Sequence, residues 1–295
     1  MAAGYLAQQK KIVDDIGIQK MNKVVFNVFI PLMVAYNLYS SDASSAFNPQ
    51  MIVYVVCAVL AQFLLAFLYG VFFVKKPEQR GVIIQGLYRS NVTLMGLQLL
   101  ANLVTDADLG PLCALSAFTA PLFNTMAVVC LEVYSGKKPD IKKLLINVVK
   151  NPIMAGCAAG VLLLVLDIQL PTAIDSGFRD MAKAASPVAV FLLGAFFKFS
   201  GAKQHLPQLI ATALGRLIIS PAIFLSLAAL LGFRGIYFAS MIAVFATSTS
   251  VPSFTMVQQI GGDAELAGDI VVVTNFLCPL TIALWCFIFK SLGIF

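Results

Sequence analysis

Two stretches of this 295-residue sequence set hydroxyls, amides and a cation inside otherwise apolar runs. One reads Gly86-Leu-Tyr-Arg89-Ser90-Asn91-Val-Thr93-Leu-Met-Gly96-Leu-Gln98, the other Ala246-Thr-Ser-Thr249-Ser250-Val251-Pro252-Ser253. Pro252 lacks a backbone donor and clashes with the preceding turn, while Gly96 and the hydroxyl cluster weaken a helix elsewhere. Both runs are therefore predicted to unwind locally, with Gly96 and Pro252 as hinges. Unwinding frees N–H groups at the start of the following half-helix, worth roughly +0.5 of a charge. Neighbouring Asn, Ser and Thr side chains supply orienting hydrogen bonds, so the natural ligand is a small anion such as a carboxylate. The competing reading for each stretch is that Ser and Thr bond back to their own helix and Pro252 is a packing kink.

Two cations lie within apolar runs, Arg89 and Arg216, and an ionisable group at such depth either serves function or pairs with another buried group. Arg89 adjoins the first break, where it either contacts the anion or has a structural role at the cytoplasmic end of its helix. Arg216, in Gly215-Arg-Leu-Ile-Ile-Ser-Pro221, fits a structural or gating role, bonding unwound carbonyls of a neighbouring helix. Asn124 and Asn275 flank Phe118-x-x-Pro121-Leu122 and Phe276-x-x-Pro279-Leu280, and Asn27 and Asn37 flank Pro31; buried amides of this kind more often bridge helices than bind substrate. The 6 cysteines fall in apolar runs without metal-ligand spacing, and the 1 histidine, His205, sits beside a loop. No metal site, cofactor or Ser-His hydrolase is expected, and the chain is not read as an enzyme.

The elements that must carry these residues are membrane helices. Hydrophobic residues make up 60% and charged residues 12%, against roughly a quarter charged in soluble domains; mean hydropathy is +0.90. The apolar runs are near-continuous over 20 or more residues, which predicts an all-α polytopic membrane protein and not a barrel. The net charge of +6 resides in short loops, so no nucleic-acid partner is implied. Spans are predicted near 18–40, 50–74, 81–104, 109–134, 148–167, 176–199, 205–232, 235–260 and 264–291. A stub, Met1 to Ala7, reads as the end of a tenth helix whose beginning precedes Met1. Basic residues recur in every second loop: Lys10, Lys11, Lys20 and Lys23; Lys75, Lys76 and Arg80; Lys137, Lys138, Lys142, Lys143 and Lys150; Lys198 and Lys203. The positive-inside rule puts these loops in the cytoplasm and both termini outside.

Shared prolines indicate an internal repeat. Pro31 and Pro187 stand 156 residues apart, as do Gly96 and Pro252, and the two Phe-x-x-Pro-Leu patterns stand 158 apart. Five spans per repeat, an odd number, force opposite orientations, which is the inverted-repeat transporter plan. The repeats are assigned to residues 1–134 and 148–295, joined by a cytoplasmic linker at 135–147.

These residues resemble the auxin efflux carrier family, which includes plant PIN-type carriers and bacterial organic-acid carriers. The resemblance covers essentially the whole chain. It is carried by Asn91-Val-Thr-Leu-Met-Gly96-Leu-Gln98-Leu-Leu, Val251-Pro252, Asn151-Pro152, Ser186-Pro187-Val-Ala-Val-Phe-Leu-Leu-Gly194 and Arg216-Leu-Ile-Ile-Ser-Pro221. It implies ten helices in two inverted repeats, with a scaffold domain (helices 1, 2, 6 and 7) and a transport domain carrying crossed, broken helices 4 and 9. Organic anions would move by an elevator-like motion with the substrate at that crossover. Carried over, Asn91 hydrogen-bonds substrate, Gly96 and Pro252 mark the crossovers, and Thr249, Ser250 and Val251 line the opposite side, with Arg89 close by. Pro31, Ser186 and Pro187 would line the scaffold side.

Two departures stand out. Gln98 occupies a crossover position where the family commonly has proline, so that break is milder or Gln98 itself faces the substrate. The span from Met51 to Val74 lacks the buried acid that some plant carriers share, which favours uniport driven by the anion gradient and membrane potential. The expected protein is a secondary carrier for small organic carboxylates in the plasma membrane, as in a bacterial inner membrane, assembled as a homodimer within lipid. The alternative is a sodium-coupled symporter of the bile acid carrier type, which needs an oxygen cage near Thr247 to Ser253.

Overall fold

The computed structural model describes residues 1–40, 48–96, 99–100, 110–134, 146, 150–196 and 204–295. Its helices, in chain order, are α1 (Ala2–Gln9), α2 (Asp15–Val24), α3 (Ile30–Tyr39), α4 (Pro49–Phe73), α5 (Pro77–Tyr88), α6 (Gly110–Val133), α7 (Pro152–Val165), α8 (Thr172–Phe196), α9 (Leu206–Leu214), α10 (Ser220–Leu230), α11 (Gly235–Phe245), α12 (Pro252–Ile260) and α13 (Ala264–Ser291). π-helical turns at Val25–Phe29 and Gly215–Ile219 join α2 to α3 and α9 to α10, making two continuous rods, and a third π turn, Val92–Gly96, follows α5. No strand occurs among the described residues, and the protein is an all-α polytopic membrane protein.

Among the described residues, five helices are long and apolar enough to cross a membrane: Ile16–Tyr39, Pro49–Phe73, Pro111–Val133, Leu206–Leu230 and Ala264–Ser291. Pro152–Val165 and Gly235–Phe245 are shorter apolar helices. The predicted spans at 81–104 and 235–260 are each interrupted, the first between α5 and the Val92 turn, the second between α11 and α12. Helix α8 is less apolar because Asp175, Arg179, Asp180 and Lys183 crowd its first half. Most of the predicted linker at 135–147, together with Gln98, Lys198 and Lys203, lies outside the described residues.

Proline explains much of the helix punctuation. Pro49, Pro77, Pro152 and Pro252 open α4, α5, α7 and α12, where the missing donor costs nothing. Asn48, Asn151 and Asp263 cap α4, α7 and α13 by accepting from the N–H of Met51, Ile153 and Leu266. Pro31 and Pro221 each stand two residues beyond a π turn. A proline ring collides with the carbonyl four residues back, and slipping the register to a wider turn relieves that clash. The carbonyl four back from Pro221 is Leu217, and the indole N–H of Trp285 donates to it at 2.9 Å.

The stub packs as helix α1 against α8. The two backbones touch where Gly4 meets the Phe191 carbonyl and Gly194 meets Met1; a Cβ at either glycine would lie about 2 Å from backbone oxygen. Helix α3 packs closely on α7, where Gly156 faces Pro31 and Gly160 faces Ala35. This is the small-residue packing that brings membrane helices together. Around the breaks lie two apolar clusters, one built mainly on α4, α10, α11 and the C-terminal half of α13, the other on α3, α8, α12 and its N-terminal half.

Candidate functional site

The two interruptions meet. Ser90 and Thr249 form an isolated antiparallel bridge, in which the Asn91 N–H donates to Ser248 O at 3.0 Å and the Ser250 N–H donates to Arg89 O at 3.3 Å. Side chains complete the stitching. Thr249 Oγ1 donates to Gly86 O (2.8 Å), Thr274 Oγ1 accepts from Thr249 N (3.3 Å), and Asn275 Nδ2 donates to Thr249 O (3.3 Å). Ser90 Oγ donates to Val244 O (2.5 Å) and lies 2.7 Å from Thr247 Oγ1. These bonds satisfy backbone groups that would otherwise be stranded at membrane depth.

Arg216 holds the same crossing from behind. Fully buried, it donates to Thr247 O at 2.9 Å, Val244 O at 3.0 Å and Tyr88 O at 3.3 Å, so one guanidinium ties the carbonyl ends of α5 and α11 together. Carbonyls at a helix C-terminus carry partial negative charge, which suits a cation.

In front of the crossing lies a cleft of about 60 Å³, lined on the crossover side by Arg89, Ser90, Asn91, Val92, Ser250 and Pro252. Its facing wall comes from α3 (Met33, Asn37), α6 (Ser116, Thr119, Asn124) and Ser186 of α8. The N-terminus of α12 ends at this cleft, bringing its dipole with it. Arg89 is 4% exposed and donates to Asn124 Oδ1 (2.7 Å), Gln85 Oε1 (3.2 Å) and the Met256 sulfur (2.6 Å). Among the described residues, no carboxylate lies within ion-pair distance of it. The buried Ser116 hydroxyl, also lining the cleft, has no partner there.

The structure brings together Arg89, Asn91, Asn124, Ser186, Ser250 and Pro252, all singled out by sequence. It separates others from the cleft. Thr249 is spent on stitching, and Val251 is packed in the apolar cluster with Phe254. Pro31 packs on Gly156, and Pro187 is exposed on the far face of α8. Asn275, on α13, bonds Ser248 and Thr249. The hinge assignments shift. The first break falls at Arg89–Asn91, and Gly96 closes the π turn after it, packed on Ala243. The second covers 246–251, and Pro252 begins the next helix because proline suits a first turn. Asn37 was noted only as a bridging amide, while Ser116 and Thr119 were missed. Thr119 bonds back to Leu115 O at 2.9 Å and so gives no signal distinguishing it from any hydroxyl in a membrane helix.

Crossed, interrupted helices around a polar cleft within an apolar helical protein define a membrane transporter. The chain matches the family described as membrane transport protein over residues 1–141 and again over 140–286. It belongs to that family, the auxin efflux carrier-like transporters that its motifs resemble. No curated protein matches the chain.

Proposed function

We propose that the protein carries small organic anions across the membrane, binding the carboxylate at the crossing of the interrupted helices. One observation carries this reading: a buried arginine, Arg89, lines the cleft without a carboxylate partner among the described residues. A cation at bilayer depth costs about 2.5–3.5 kcal/mol on insertion scales, so an unpaired one there calls for an anionic ligand. Asn91, Ser250 and Ser116 supply hydrogen bonds, and the dipole of α12 adds to the same potential.

Size narrows the class. The cleft is small, about 60 Å³. Short mono- and dicarboxylates fit as the cleft stands; an aromatic acid requires it to widen. The internal repeat supports the inverted two-repeat plan, with α1, α3, α7 and α8 as scaffold, the crossed helices as the moving part and an elevator stroke between them. Under the positive-inside rule the basic loops face the cytoplasm, and a homodimer would form through the scaffold.

The test is solid-supported-membrane electrophysiology on reconstituted protein with malonate, malate, lactate, acetate and indole-3-acetate, with and without sodium. Saturable, sodium-independent currents for a short carboxylate are expected. Currents that require sodium would replace uniport with the symporter mechanism, and saturable uptake of neutral solutes alone would overturn the anion site.

A further inference from the structure

A second cavity, of about 180 Å³, lies between α4, α5 and the α9–α10 rod, away from the crossover cleft. Its rim is apolar and faces lipid: Leu65 is 52% exposed and Ile219 54%. Two of its lining groups do not match this setting. Gln62, 4% exposed, donates through Nε2 to Leu87 O at 2.9 Å, but its Oε1 has no partner. Ser220, 5% exposed, has a buried hydroxyl that is equally unpartnered. Gln62 sits at the middle of α4, and Ser220 follows the π turn at the middle of its rod, so both lie at the depth where lipid offers no hydrogen bonds. An unmet acceptor in such surroundings is costly, and a bound donor removes that cost.

We propose that this groove is a binding site for a compact, apolar, membrane-partitioned molecule carrying a single hydroxyl or N–H donor. The apolar body lies against Leu65, Leu87 and Ile219, and the Gln62 amide oxygen and Ser220 hydroxyl, both closed off as the groove stands, turn to meet the donor. Gly215 forms part of the wall and lets Leu87 pack directly onto the rod; a Cβ there would come within 2.4 Å of Leu87. Gly215 and Leu87 immediately precede Arg216 and Tyr88, which tie the crossing together. An occupant therefore presses on the clamp of the transport site from the lipid side, and the groove is a place for modulation and not for cargo.

The test is a ¹⁹F NMR titration of the protein in lipid nanodiscs with 4-fluorophenol and 4-fluorotoluene, which share shape and differ in the donor, against empty nanodiscs. A saturable site is expected, with the phenol bound about fivefold or more tighter, the worth of one hydrogen bond. The double variant Gln62→Met with Ser220→Ala should bind both alike, and Ala211→Phe, which fills the groove, should bind neither. Should the larger substitutions fail to fold, Ser220→Ala alone should still narrow the preference about twofold or more. Absence of saturable binding, equal affinity for the two probes, or a preference that survives loss of the polar groups would overturn the site; water filling the groove would give the second of these.

Discussion

Arg89 and Arg216 carry the same charge at nearly the same burial, yet their partners assign them opposite tasks. Arg216 gives three of its five N–H groups to backbone carbonyls and is fully buried away from the cleft, whereas Arg89 rests on two amide oxygens and a sulfur at the edge of a cleft. Arg216→Met should therefore strand buried carbonyls and cost about 1–3 kcal/mol for each one left unbonded, seen as a large fall in the thermal unfolding midpoint, with Arg216→Lys recovering part of it. Asn91→Ala should behave differently. Its backbone N–H, which stitches to Ser248, is kept, so the midpoint should stay close to wild type. Half-saturation for the carboxylate should rise about tenfold or more, the worth of a hydrogen bond to a charged group. Unchanged half-saturation would remove Asn91 from the site.

At the scale of elements, proline acts through the bonds it removes, and neighbours repair them. The Trp285 indole replaces the donor that Pro221 withholds from Leu217 O. Trp285→Phe alone should destabilise by about 1–3 kcal/mol, and Pro221→Ala should offset part of that by restoring a donor. A double-mutant cycle on thermal unfolding, read by scattering since the tryptophan itself is lost, measures the coupling; strict additivity would mean the two are unconnected. Pro252→Ala should leave transport within about threefold of wild type, because a first-turn proline is compatible with helix and its replacement gains little. The break is held open by its stitching to Arg89 and Asn91. That distinction marks how far the sequence is legible. Arg89, Ser90 and Asn91 stand out because charge and amides are foreign to apolar runs. Their partners at Ser248 to Ser250 are some 160 positions away, and only folding shows which carbonyl meets which donor. The side chains facing the cleft from α3, α6 and α8 were harder still. Pro31, Pro187 and Ser186 are alike in sequence position, but the angular face of each helix put one against α7, one outward and one into the cleft.

At the scale of the molecule, the chain matches one transport family twice and brings two interrupted helices together at a bridge. An elevator stroke requires α12 to slide past α8, where Phe196 and Phe254 pack with ring centroids 5.0 Å apart. In a background lacking the 6 native cysteines, joining Phe196→Cys to Phe254→Cys with a bifunctional thiol reagent that carries an internal disulfide should stop transport, and reduction should restore it. Full cross-linking with undiminished flux would exclude that stroke. The most direct test of the anion site is the current evoked by short carboxylates in reconstituted wild-type protein and in Arg89→Gln. Saturable, sodium-independent currents that vanish in the folded variant are predicted; equal currents from both proteins would contradict the account.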